Sequence, residues 1–146
     1  MKNLEKLILH ADFKKADEIT SNLSFDVFSE EILEITYENE SIANYSFINF
    51  LINKRESNEL HDLAFDLLVN PLCHIEGAYN SALYHAKQSV MLTAEKEIGS
   101  LENLLFLNSI PDKLVSDQHA IRICKKILSL DNSNQTATDT LNDLNS

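Results

Sequence analysis

Glycine and proline are almost missing from this chain, with two of each in 146 residues. This scarcity of breakers disfavours a many-turned sandwich or barrel and fits long helices joined by short turns. Two lone glycines cannot build a phosphate-cradling loop, and neither a GxSxG elbow nor a Rossmann fingerprint occurs. Cysteine is scarce too. Cys73 and Cys124 are too few for a disulfide framework, and their apolar flanks read as reduced core thiols in a reducing compartment. Basic residues are outnumbered 12 to 23 by acidic ones, a formal net charge of −11. Nucleic-acid and anionic-membrane binding need clustered Lys and Arg, so this balance argues against both. The field such a chain projects attracts a basic protein partner.

Long apolar runs are also lacking. MKNLEKLILHADFKK carries a three-residue apolar stretch, Leu7 to Leu9, broken at His10, too little for a signal peptide, and the expected location is cytoplasmic. The longest uncharged stretch, SIANYSFINFLIN from Ser41 to Asn53, is too short to span a bilayer, which takes about twenty residues. Its apolar residues point in nearly every direction on a helical wheel, as expected of a helix with neighbours on several sides. Residues 46–52 are rich in aromatic and β-branched types, so a buried strand is the alternative. A lone strand among helices would leave its backbone groups unpaired, which favours helix.

What is present reads as one all-α domain over 1–146, seven or eight helices stacked as antiparallel hairpins. A short amphipathic segment covers 2–9, and His10-Ala11-Asp12 breaks it, with Asp12 as N-cap of a helix running to Asn22. Ser24 caps a helix over 25–39, and the uncharged helix follows. Ser57 caps 58–69, where Leu60, Leu63, Ala64, Leu67 and Leu68 fill the helical template and Asn70-Pro71 ends the run. Further helices are expected from Ala78 to Leu92, from a Thr93 cap to Asn108, over 117–130 and over 134–144, with 139–146 as a fraying tail. Gly99 falls inside one of them, which points to close helix packing.

The segment AIRICKKILSLDNSNQTATDTL resembles the junction between consecutive tetratricopeptide repeats through Ala120, Leu128, Leu130, Asp131, Asn134, Ala137 and Leu141. HADFKKA is similar to the turn within one repeat, through Asp12, Phe13 and Ala16, with Ala11 at the glycine position and Asn132 at the proline position of the later junction. The resemblance covers about a third of the chain. It implies a stack of helical hairpins and a protein-binding surface rather than catalysis.

The most distinctive surface signal is a carboxylate row. Asp26, Glu30, Glu34 and Glu38 recur every fourth residue, Glu31 and Glu40 flank them, and no Lys or Arg occurs between Asp26 and Asn53. Like charges at this spacing cost about 0.2–0.5 kcal/mol per pair. As a plain solvated face the row keeps the chain soluble; as a docking face it steers a basic partner. Tyr79 and Tyr84, set among small residues, form a candidate groove wall for a partner's helix or extended segment.

Catalytic constellations are weak. His61, His74 and His85, with Asp62 and Glu76, are the candidates for a metal-assisted hydrolase, yet no HExxH and no histidine pair at i, i+3 or i, i+4 occurs. Cys73 with His85 would be a nucleophile pair without a neighbouring cation to stabilise a thiolate. No cofactor, metal or catalytic residue is expected. The leading expectation is a non-catalytic acidic binding module, most concretely an immunity or antitoxin-type inhibitor of a basic protein. An adaptor that holds a peptide in a groove is second, and the hydrolase third.

Overall fold

The computed structural model describes residues 2–146, and among them every regular element is a helix. There are nine: α1 (Lys2–Leu9), α2 (Phe13–Thr20), α3 (Phe25–Asn39), α4 (Ile42–Lys54), α5 (Asn58–Val69), α6 (Ala78–Leu92), α7 (Ile98–Ser109), α8 (Asp117–Leu130) and α9 (Gln135–Asn145). The count exceeds the expected seven or eight because the short segments before Ser24 are both complete helices. Their packing divides into two compact units, Met1–Ala82 and Leu83–Ser146, and the division falls within α6.

The first unit is built around α4, which packs against α1, α2, α3 and α5. Residues 46–52 are helical. Phe47 and Ile48 are fully buried and Leu51 nearly so, joined in one core by Leu4, Ile8 and Ile32. Phe47 meets Phe13 at 5.6 Å and Phe28 at 6.2 Å between ring centroids, the second edge-on, as aromatic quadrupoles prefer.

Serine sets where several helices begin. The hydroxyls of Ser24, Ser41 and Ser57 accept from the backbone N–H groups of Val27, Ala43 and Leu60 at 3.3, 3.1 and 3.1 Å. Glu40, with φ 50°, takes the left-handed conformation that stops α3, its N–H donating to Thr36 O at 2.8 Å. Asp12 precedes α2 but makes no side-chain capping bond. Ala11 beside it has φ 57°.

In the second unit α8 packs on α7 and α9, and α7 also meets α9. Leu101, Leu107, Ala120, Cys124, Ile127 and Ala137 are buried. Ser116 and Asn134 cap α8 and α9, accepting from His119 and Ala137 N–H at 3.1 and 2.8 Å. Asn108 ties the end of α7 to the start of α8, its Nδ2 donating to Val115 O and Asp117 Oδ1, both at 2.9 Å. The polar tail is helical to Asn145.

Three local expectations are corrected. Thr93 caps nothing: its hydroxyl donates back to Ser89 O and Val90 O, Ala94 and Glu95 take positive φ, and α7 starts only after Glu97. Gly99 is exposed, and a Cβ built there meets nothing within 4 Å, so close packing is not its reason. Cys73 is exposed in the turn after α5, where Leu72 fills the buried position beside it. Only Cys124 is a core thiol, and burial raises its pKa.

Candidate functional site

The face of α3 that points away from the core follows from its sequence period. Phe28, Ile32, Ile35 and Thr36 are buried, which turns Asp26, Glu30, Glu34 and Glu38 outward, and all four are exposed. Among the described residues none of the four is in an ion pair. Glu31 is half-buried at the margin of the row. Glu40 Oε1 lies 3.8 Å from His74 Nδ1, both largely solvated.

The nearest following cations in the chain are turned elsewhere. Asp17 on α2 is 6% exposed, and it takes Lys54 Nζ at 2.8 Å on Oδ2 and Arg55 Nη2 at 2.8 Å on Oδ1. The Arg55 hydrogen bond, with help from Lys54, holds the Asp17 carboxyl below its usual range against the opposing effect of burial. Unit Met1–Ala82 as a whole has 6 basic against 15 acidic residues; unit Leu83–Ser146 has 6 against 8. The acidity of the chain is therefore concentrated in the first unit.

Packing extends the row beyond α3. Glu59, Asp62 and Asp66 on α5 share a recess of about 220 Å³ with Asp26, Ser29 and Leu33 of α3. Burial, then the charge of Asp62, pushes the Asp66 carboxyl up to about 6. Sequence reasoning placed Asp62 only among metal candidates and missed Glu59 and Asp66. Their spacing of three and four, opposite the leucines of α5, was the available signal.

The other candidates do not assemble. Among the described residues no three His, Cys, Asp or Glu side chains converge as a metal-ligand set. His61 is fully buried with Nε2 2.7 Å from Glu56 Oε2, His74 is exposed, and His85 is buried with its ring edge-on to Tyr84. Tyr84 is 55% exposed and Tyr79 half-buried. No helix among the described residues is long and apolar enough to cross a membrane. No protein-family model, curated protein or solved structure matches the chain.

Proposed function

We propose that this protein is a non-catalytic binding module whose carboxylate face docks a basic protein. Its most concrete form is an immunity or antitoxin-type inhibitor that covers the cationic surface of its target. The observation that carries this reading is the row Asp26, Glu30, Glu34 and Glu38, exposed and outside any ion pair among the described residues, with exposed Glu59 and half-buried Asp62 and Asp66 beside it on α5. Four carboxylates without countercharge repel one another, and a basic surface relieves that repulsion on contact. Such a field acts before contact, raising the rate of encounter, and it weakens as salt shortens the screening length to about 8 Å at physiological ionic strength.

The test is affinity purification from cells that make the protein, in low and then moderate salt, with wild type beside the Glu30→Lys/Glu34→Lys variant. Both positions are exposed, so the fold tolerates the change. A single basic protein, held by wild type at low salt and lost with the variant, supports the reading. Partners retained equally by both forms in both salts overturn it.

A second reading, the peptide-binding adaptor implied by the repeat resemblance, is favoured by the exposure of Tyr84 on α6. Its signature is a partner insensitive to reversal of the acidic row and lost on Tyr84→Ala.

A further inference from the structure

Unit Leu83–Ser146 carries an open groove of about 540 Å³ whose wall comes from α6, α7 and α8. Leu101, Leu104 and Ile123, each under 5% exposed, form its buried floor, and half-buried Val90 and Met91, 67% exposed, supply its accessible apolar wall. A methionine there is adaptable, with three rotatable bonds and a polarizable thioether. The size falls in the range of about 300–1,000 Å³ usual for small-molecule sites.

The groove also has charged and polar lining. Lys87 and His119 line it, with Glu95 as the acidic member of the lining, and His119 also lines a neighbouring recess at the start of α8 together with Ser116, Gln118 and Arg122. Neither Lys87 nor Arg122 is in an ion pair among the described residues, in a chain with 23 carboxylates. Burial, then Arg122 and Lys87, lowers the pKa of the His119 imidazole, and Glu95 opposes them weakly from the turn after α6. The groove thus sets Lys87 and the His119 imidazole beside an apolar wall, with Arg122 contributed by the adjoining recess and Glu95 as the one carboxylate of the lining.

We propose that this groove binds a small aliphatic carboxylate, its chain along Val90 and Met91 over the floor of Leu101, Leu104 and Ile123 and its carboxylate between Lys87, His119 and Arg122. A neutral apolar ligand would cover the wall and leave the cations uncompensated; a cationic amphiphile would add to their repulsion. The site lies wholly within the second unit, so it stands or falls independently of the carboxylate face on α3.

The experiment is a ¹H–¹⁵N NMR titration of the full chain at neutral pH with decanoate below its micelle concentration, beside decyltrimethylammonium. Saturable shifts at Met91, Leu101, Leu104 and Ile123 are expected with decanoate, with affinity at least about fivefold above that for the ammonium amphiphile. Lys87→Glu/Arg122→Glu, two exposed positions, should weaken decanoate by about tenfold, whereas Glu95→Gln should tighten it. The pKa of His119, followed by its ring protons, should rise on binding. Absence of saturation, equal affinity for both amphiphiles, or charge reversal without effect would overturn the proposal. Sedimentation of the free protein covers the remaining occupant: a dimer dispersed by Ile123→Asp and indifferent to decanoate means that a second copy fills the groove, which also overturns it.

Discussion

Arg55 grips Asp17 through both terminal nitrogens, Nη2 at 2.8 Å from Oδ1 and Nη1 at 3.3 Å from Oδ2, while Lys54 Nζ shares Oδ2 at 2.8 Å. This clamp fastens α2 to the end of α4. It also takes up the only two cations in the first unit that follow the carboxylate row in sequence. The same contact thus stabilises the helical core and helps to keep the row without countercharge.

Replacing Asp17 by Ala removes three charge-assisted hydrogen bonds, all from two half-exposed cations that regain water. The expected loss is roughly 1.5–3 kcal/mol at neutral pH, read from urea midpoints. The folded pKa of Asp17 lies below its ordinary value of 3.8. Its contribution is therefore complete above that value and fades as pH falls through the folded pKa. Wild type and variant should converge in acid. A constant gap at all pH values would mean that packing, not the charge, is what Asp17 supplies.

Asp66 works with the opposite sign. Its folded pKa of about 6 stands above the ordinary 3.8, so the folded state holds a proton that the unfolded chain releases between those values. Ionisation costs nothing below the lower value, and the cost is complete above the higher one. Asp66→Asn should raise stability by roughly 1–2 kcal/mol at pH 7 and leave it nearly unchanged in acid. A variant no more stable at pH 7 would show that solvent relieves the carboxylate. Carboxyl chemical shifts against pH give the pKa directly.

Gly99 and Ala94 test the backbone from two sides. Gly99 is helical with open space around its missing Cβ, so Gly99→Ala should stabilise by about 0.5–1 kcal/mol. Ala94, at φ 51°, bears the left-handed penalty of roughly 1–2 kcal/mol, and Ala94→Gly should relieve part of it. Thermal midpoints that fall in either variant contradict the assignment.

Phe47 is the centre of the first unit, fully buried and in contact with the Phe13 and Phe28 rings. Phe47→Ala should cost about 3–5 kcal/mol. A smaller loss would mean that the aromatic cluster closes over the void.

Elements marked by a strong period or a cap were legible in advance. The leucines of α5 gave its length, the serines before α3 and α5 their starts, and the uncharged stretch its burial as α4. The lost details depended on a single turn. Thr93 has the chemistry of an N-cap, but the positive φ of Ala94 and Glu95 sends the chain round first, and no residue type there announces such a turn. Cys73 looked apolar by its neighbours, whereas exposure in a turn is decided by which residue the backbone points inward, here Leu72. The row on α3 was readable because one helix carries it whole. Its continuation through Glu59, Asp62 and Asp66 required knowing that α5 lies beside α3, a tertiary fact that no local pattern contains.

The most direct test of the carboxylate face as a docking surface is the association rate of whatever basic protein the affinity purification yields, measured by stopped flow across a salt series for wild type and Glu30→Lys/Glu34→Lys. Steering by the row predicts a wild-type rate that falls steeply with salt, and a variant rate that is about tenfold or more lower at low salt with a flattened slope. Identical rates and slopes for the two proteins would contradict it and leave the row as a solvated helix face.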